Sequence, residues 1–459
     1  MRSGRITPFN KLAALLLVCY CTLMTTDAFA RMGGAGGHGG GYSGGGSSGS
    51  GSGIALLIYF LLEHPFLGLI LIAFIVYFKY IKKGSTTGSS TPPAPSQVAQ
   101  FPQGLDANKI ATSFLAIQDA WQHKDPAHVR KWLSDGMYQR ITVQFKMMDA
   151  LGQKNTLSNI RITNIAVVST ITDGQYQVAD VAISFTMDDS FTSNKYPQFN
   201  ENYPSDSDTE YWTFIKRTGS SNEKNLYDNN NCPNCGAPFE VKMGEISRCA
   251  NCNTLTNSAA YDWVLSEITQ NDDFSRRVAL TADSELKVTL QKDAFFAVQR
   301  MEDIASNIFM QLMDVLTVGS EKRIARFAGH EIVSAVALQK QKVKPFVYDR
   351  LYINNVTLSN YVIEGDLVKL YLDVKVTYRR VAIDGQLQII DNEFVTRLCS
   401  MELSRNKNVN NKSGETVYSY ECSSCGAPYT DTTEDNCSYC GAPVVDVTMN
   451  WVLTGFAWK

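Results

Sequence analysis

Eight of the eleven cysteines occur in two copies of one pattern. The first copy reads Cys232-Pro-Asn-Cys235-Gly-Ala-Pro and continues to Cys249-Ala-Asn-Cys252; the second spans 422–440 and has the same form. Two residues between paired cysteines let one tight turn direct both thiolates to one ion, and a second pair completes a closed tetrahedron. The pattern predicts two zinc ribbons, 232–252 and 422–440, each holding one structural zinc ion. The predicted ligands are Cys232, Cys235, Cys249, Cys252, Cys422, Cys425, Cys437 and Cys440.

Other chemistry is open to the same cysteines. Two disulfides per copy would require an oxidising compartment, and a single Cys-x-x-Cys pair is also the pattern of a redox dithiol. A catalytic metal is disfavoured because four thiolates fill the coordination sphere. Gly236, Gly426 and Gly441 directly follow a cysteine pair, where we expect a positive φ.

The segments around the two ribbons are also repeated. Strand-like segments, 210–217 and 393–403, precede the ribbons, and strands beginning near Trp263 and Trp451 follow them. Each ribbon is therefore predicted to lie in the connection between two neighbouring strands. A third pair of similar segments, 113–118 and 294–299, lies at nearly equal distance upstream: 96 positions (210 − 114) and 98 positions (393 − 295). These landmarks predict an internal duplication.

Composition excludes some partners. The chain has 459 residues, a formal net charge of −3 and few basic residues in the ribbons (Lys242 and Arg248 in the first, none in the second). This balance gives no electrostatic basis for binding nucleic acid, and none is expected.

The N-terminal hundred residues predict a membrane anchor. Residues 1–30 have the form of a signal peptide, with an uncleaved first membrane helix as the alternative. A Gly/Ser-rich disordered segment, 31–53, precedes an apolar transmembrane helix at 54–81, and a flexible linker follows at 82–104. Lys79, Lys82 and Lys83 place the C-terminal side in the cytoplasm by the positive-inside rule. Glu63 and His64 are expected near the outer interface, although ionisable residues within a span can also be functional. The expected location is thus the inner cell membrane, with a single pass.

The remainder of the chain predicts two α+β domains, 105–268 and 290–459, joined by a connector at 269–289. In each, helical periodicity comes first and β-strand patterns follow. Turn signals are present at Thr172-Asp-Gly174 and Ile363-Glu-Gly-Asp366, and the polar stretch 188–210 is expected to be a long surface loop.

Three groups of residues in the first domain resemble one known family. Phe114-x-x-x-Gln118-x-x-Trp121, Glu210-x-Trp212-x-Phe214-x-x-Arg217 and Trp263-Val-Leu-x-x-Ile268 together resemble the C-terminal domain of the mitochondrial inner-membrane translocase subunit forty-four and its bacterial relatives. The resemblance implies tandem cone-shaped domains of the cystatin or nuclear-transport-factor-two-like class, with helices packed on a curved antiparallel sheet around an apolar cavity. In mitochondria the relative is a membrane-bound scaffold that recruits a chaperone motor and binds anionic lipid. The resemblance implies a scaffold and anionic lipid as a partner, whereas the chaperone-recruiting N-terminal part of the mitochondrial protein has no counterpart in this sequence. The ribbons depart from the mitochondrial pattern.

Three functional hypotheses follow. No nucleophile elbow, phosphate loop or paired-carboxylate motif is present, and His123, His128 and His330 have no motif around them, so we expect no enzyme. The favoured hypothesis is a membrane-tethered scaffold that binds protein partners, translocation or chaperone machinery among them, at the cytoplasmic face. The alternative is a carrier or sensor of a lipid or small hydrophobic ligand in the cone cavity. A redox protein built on the cysteine pairs is the third.

Overall fold

The computed structural model describes residues 100–219, 224–239, 245–275, 293, 295–317, 319–383, 388–408, 422, 424–425, 427, 436–444 and 450–459. The predicted signal peptide, Gly/Ser-rich segment, membrane helix and most of the linker lie outside these residues. Within them, no helix combines the length and the apolar character needed to cross a membrane.

The first copy consists of two helices followed by a four-stranded antiparallel sheet. The helices are α1 (Ala107–His123) and α2 (Asp135–Ala150), with a short 3₁₀ helix between them. The strands, in the spatial order β1-β2-β3-β4, are β1 (Gln153–Asp173), β2 (Tyr176–Ser193), β3 (Glu201–Arg217) and β4 (Val264–Gln270). Both helices begin where a side-chain oxygen caps the backbone, Asp106 for α1 and Ser134 for α2.

The second copy repeats this order. Its helices are α3 (Val298–Thr317) and α4 (His330–Lys342). Its strands are β5 (Phe346–Glu364), β6 (Leu367–Ala382), β7 (Gln388–Ile389), β8 (Val395–Asn406) and β9 (Val452–Trp458). The sheet order is β5-β6-β8-β9, with β7 paired to β6. The predicted α+β class with tandem helix-on-antiparallel-sheet domains is confirmed.

Irregularities in the first strand of each sheet make the duplication visible. Register shifts occur in β1 after residues 158, 162 and 167, and in β5 after residues 349, 353 and 358, so each recurs 191 positions later (349 − 158). The left-handed residues Asn159 and Arg350, both with φ of 52°, keep the same offset. Three bulges at identical spacing are a stronger mark of duplication than any single residue motif, because each bulge bends the strand at a defined place.

Two of the sequence landmarks for the duplication are wrong. Phe114 lies inside α1, whereas Phe295 precedes α3; Glu210 lies inside β3, whereas Glu393 precedes β8. Trp263 and Trp451 do correspond, since each stands immediately before the last strand of its sheet. The segments at Phe114 and Phe295, and those at Glu210 and Glu393, are similar in sequence but occupy different positions in the two copies. Their near-equal spacing therefore does not reflect the duplication.

The expected surface loop at 188–210 is also wrong. Most of it is a long hairpin in which β2 runs to Ser193 and β3 begins at Glu201, with Asp189 paired to Tyr203. Alternate side chains of this polar stretch are buried, including Asp189, Phe191 and Ser193. The hairpin is stabilised by this half-buried alternation, which the polar composition hides. The turns predicted at Gly174 and Gly365 are confirmed, and both glycines have a φ of +60°.

The two copies are packed into one compact unit that includes residues 99–459. Helix α2 of the first copy runs parallel to α3 of the second, and Val143, Met147 and Leu151 belong to the second copy's hydrophobic core. Conversely, Tyr352 of β5 is buried in the core of the first copy. The cores are therefore interlocked, and α2 is buried along most of its length.

Candidate metal centres and the inter-copy junction

Each ribbon interrupts the connection between the last two strands of its sheet, as predicted. Strand β3 pairs antiparallel with β4, and β8 pairs with β9, so both ends of each ribbon are held by a hairpin. The sheet thus fixes the base of the ribbon, while the cysteine turns close its far end.

The cysteine turns share one backbone geometry. The N–H of the first cysteine donates to the carbonyl five residues later, as from Cys232 to Ala237 at 2.7 Å and from Cys437 to Ala442 at 2.8 Å. Gly236 and Gly441 take the predicted positive φ, 76° and 74°. Gly426 lies outside the described residues. At the corresponding place of the turn after Cys249, Asn253 has a φ of 58°, which asparagine tolerates better than most residues.

The thiol groups converge in both ribbons. In the first, the Sγ atoms of Cys232 and Cys252 are 3.6 Å apart, and those of Cys235 and Cys249 are 3.8 Å apart. The matching distances in the second ribbon are 3.5 Å for Cys422 and Cys440 and 3.7 Å for Cys425 and Cys437. All four sulfurs of a ribbon lie within 4.8 Å of one another.

These distances fit a metal better than a disulfide. A tetrahedron with metal–sulfur bonds of about 2.3 Å has edges of about 3.8 Å, whereas a disulfide bond is about 2.05 Å. None of the eight ribbon cysteines forms a disulfide bond. Two four-cysteine groups that can each hold a metal ion are therefore present, and the all-thiolate donor set is consistent with zinc.

Polar side chains near the first ribbon's sulfurs were not anticipated. The amide of Asn251 donates to Cys235 Sγ at 3.4 Å, and that of Asn234 to Cys252 Sγ at 3.6 Å. Each asparagine therefore reaches across to the opposite cysteine turn. Hydrogen bonding by Thr254 lowers the pKa of Cys252 to about 6, while burial raises the pKa of Cys232 to about 12. In both cysteine pairs of this ribbon, an asparagine immediately precedes the second cysteine. This repetition was the one sequence feature that could have indicated the contacts to sulfur.

The first ribbon is docked on the body of the first copy. Trp132 stacks on Tyr227 with ring centroids 4.8 Å apart, and the Tyr227 hydroxyl donates to the Trp263 carbonyl at 2.9 Å. Lys131 Nζ donates to the Asn229 carbonyl at 2.9 Å. The segment that leads into this ribbon therefore packs against the first copy and does not project from it as an independent element.

The residues that carried the family resemblance form the core of the first copy. Phe114 lies 4.9 Å from Phe185 and 5.5 Å from Trp212, measured between ring centroids, and Trp263 and Ile268 are buried in the same cluster. Their function in this chain is packing. His123, His128 and His330 are exposed, and His123 lies 3.1 Å from Asp119.

Residues 98–225 match the model of the Tim44-like domain family. This segment of the first copy is therefore similar to the Tim44-like domain. The matched segment ends at residue 225, before the first ribbon, which agrees with the ribbon being an insertion between β3 and β4. No curated protein matches the chain.

A solved structure described as an "Ntf2 like protein involved in plasmid conjugation" is 6% identical to this chain. The alignment covers 66% of this chain and 93% of that one, with a TM-score of 0.12. Because this score is too low to relate the two folds in detail, the fold assignment here rests on the strand order and the bulges.

Charge pairs join the first copy to the second, and one partner of each pair is buried. Arg350 forms a bidentate pair with Glu201, with N–O distances of 2.5 and 2.6 Å, and its guanidinium lies over the rings of Phe191 and Phe394. The Glu201 pair raises the pKa of Arg350 against the opposing effect of burial. Along the helices, Lys146 Nζ contacts Asp314 Oδ2 at 2.6 Å. Both pairs therefore cross the interface between the two copies.

The start of α2 is a close-contact point. A Cβ atom at Gly136 would lie 2.3 Å from Asp303 Oδ1 and 2.5 Å from the Asp303 carbonyl. Ser134 Oγ donates to Asp303 Oδ1 at 2.5 Å. Burial between the helices raises the pKa of Asp303 to about 7, and the nearby Asp135 carboxylate adds to this effect.

Proposed function

We propose that this protein is a membrane-anchored, non-enzymatic scaffold with a translocation-related role at the cytoplasmic face of the inner membrane. The Tim44-like domain at 98–225 carries the proposal, since the family is associated with the membrane and with protein translocation. The apolar segment 54–81 and the basic residues after it supply the expected anchor. The linker 82–104 would let the tandem unit reach partners near the bilayer.

The metal centres support a structural role. Four thiolates around one ion leave no coordination position for a substrate, so zinc in each ribbon would stabilise the inserted loop. A ribbon of this length cannot bury a core of its own. Its residues can therefore present a fixed surface only when the cysteines are held together.

The second ribbon offers the more accessible surface. Tyr439, between Cys437 and Cys440, has 69% of its surface exposed. The segment 421–446 contains five acidic residues and no basic one. A partner that carries basic residues near an apolar patch would suit this ribbon.

A pull-down of the full-length protein from its own membranes in mild detergent tests the proposal. Capture of translocation, insertion or chaperone components by the native protein, lost in Cys425→Ser and reduced in Tyr439→Ala, would support it. Leu338→Ala is the matched control, because Leu338 is another exposed apolar residue outside the ribbons. If Tyr439→Ala retains every partner, the second ribbon is not the contact surface. If the native protein captures no such component, the scaffold role fails.

One observation favours the alternative function, a carrier or sensor of a lipid or small hydrophobic ligand. The side chain of Gln118 is fully buried in α1, and neither amide atom has a hydrogen-bond partner among the described residues. Buried amides normally have partners, so a polar group of a bound guest could complete this site. Mass spectrometry of the purified protein should then detect a lipid that Gln118→Leu loses. Equal lipid content in native and variant proteins would show that Gln118 does not bind the guest, and native protein without lipid would exclude this alternative.

A further inference from the structure

One residue of the first ribbon contacts three parts of the structure at once. The carbonyl of Glu245 accepts from Arg130 Nη2 at 2.6 Å, in the segment between α1 and α2. Its carboxylate Oε1 accepts from Gln139 Nε2 at 2.7 Å, on α2, and from Arg323 Nη2 at 3.0 Å, in the second copy. Glu245 therefore joins the ribbon to both copies.

Ser247 in the ribbon and Asn257, shortly after its last cysteine, support this contact. Ser247 Oγ donates to the Arg130 carbonyl at 3.3 Å, and Asn257 Nδ2 donates to the Leu133 carbonyl at 3.0 Å and to Asp135 Oδ1 at 2.9 Å. We call Glu245, Ser247 and Asn257 the clasp. Clasp residues lie on both sides of the Cys249–Cys252 turn, and a β-bridge between residues 248 and 255 closes that turn. The clasp is therefore held in shape by the same turn that presents two of the four ligands.

The clasp acts where the second copy meets α2. Arg130 is completely buried and pairs with Asp135 at 2.5 Å, in the first turn of α2. The neighbouring residues Ser134 and Gly136 make the contacts to Asp303 on α3. Displacement of Glu245 would leave the buried Arg130 guanidinium with fewer acceptors, next to the start of the inter-copy interface.

We propose that metal occupancy of the first ribbon controls how firmly the two copies are joined. With the four cysteines gathered, the clasp holds the start of α2 against α3; without the ion, the ribbon loses its fold and the clasp is released. Structural zinc sites supply folding free energy directly, so a segment this small is expected to unfold locally when the ion is removed. The tandem unit would then open at the α2–α3 junction while each sheet stays intact. This inference rests on the metal assignment but not on the scaffold role.

Hydrogen exchange of the full-length protein in detergent, read by mass spectrometry, tests the inference. Metal content is measured on the same samples. Cys252→Ser removes a ligand from the first ribbon, and Cys440→Ser is the matched control that removes the equivalent ligand from the second. We expect one zinc ion fewer in each variant, with exchange in 135–150 and 298–317 about tenfold faster or more only in Cys252→Ser. Unchanged exchange in a Cys252→Ser protein that has lost its ion would overturn the inference, as would equal acceleration in both variants.

A second variant separates the clasp from the metal. Glu245→Ala leaves all eight cysteines in place and removes the contacts to Gln139 and Arg323. It should retain two zinc ions and still exchange faster than the native protein at the start of α2. Exchange identical to that of the native protein would show that the clasp does not hold the junction. Native protein that contains no zinc would overturn the inference as well.

Discussion

A close contact between the two copies, at Gly136, makes an informative test of the fold. Gly136 lies in the first turn of α2 and has no positive φ. On helix propensity alone, Gly136→Ala should stabilise the protein by about 0.5–1 kcal/mol, because alanine loses less backbone entropy on folding. The structure predicts the opposite sign. The added Cβ would meet Asp303 Oδ1 at 2.3 Å, the Asp303 carbonyl at 2.5 Å and Ser306 Oγ at 2.6 Å.

The expected magnitude follows from these contacts. Overpacking of a close interface costs about 1–3 kcal/mol, and one of the three atoms is backbone that cannot rotate away. A shift of α2 would also weaken the hydrogen bond from Ser134 to Asp303, worth about 1 kcal/mol. After the gain in propensity is subtracted, Gly136→Ala should lower the free energy of unfolding by about 2 kcal/mol.

Urea unfolding of the full-length protein in detergent, followed by tryptophan fluorescence, measures this difference. Gly329→Ala is the control for an added methyl group without a clash, since Gly329 is the N-cap of α4 and also has no positive φ. A Cβ there would meet only the Leu453 carbonyl, at 3.6 Å, so the expected cost is only the weaker capping preference of alanine, about 0.5–1 kcal/mol. If Gly136→Ala is as stable as the native protein or more stable, the parallel packing of α2 on α3 is refuted.

Three further predictions concern the junction and the ribbons. Because the pKa of Asp303 is raised to about 7, the folded state holds this proton more tightly than the unfolded chain, so stability should fall as pH rises from about 4 to 7. Asp303→Asn should flatten that fall in urea titrations, and an unchanged slope would contradict the assignment. Glu201→Ala should cost about 3 kcal/mol in the same assay by leaving Arg350 buried without its bidentate partner, and a loss below about 0.5 kcal/mol would show that the pair is not formed. Cys425→Ser should reduce bound zinc from two equivalents to one by elemental analysis, and unchanged stoichiometry would remove the metal assignment in the second ribbon.

The two four-cysteine groups could be predicted from the sequence because the geometry of a cysteine pair is local. Two cysteines separated by two residues share a turn whatever the rest of the chain does, so the grouping followed from spacing. The glycines after the cysteines were equally local, and Gly236 and Gly441 took the expected conformation. The asparagines that reach across to opposite sulfurs were missed, because their acceptors belong to the other turn.

The duplication shows where sequence similarity misleads. The correct correspondence is carried by bulges in β1 and β5 and by Trp263 and Trp451, whereas the segments at Phe114 and Phe295 only resemble each other. A bulge depends on pairing with the neighbouring strand and leaves no fixed residue signature. The hairpin at 188–210 was missed for a related reason: its alternate residues are buried by contacts from outside the strand.

The sequence by itself determined the local features of this protein: the two four-cysteine sets, the positions of the ribbons between strands, the order of helices before sheet, and the similarity of residues 98–225 to the Tim44-like domain. Only the tertiary structure decided that the two copies share their cores, that α2 is buried against α3, and that Glu245 joins the first ribbon to both copies. The physical reason is the range of the interactions. Turns, caps and ligand pairs are set within a few residues, whereas the junction depends on contacts between residues more than 75 positions apart, such as Glu245 with Arg323 at 78.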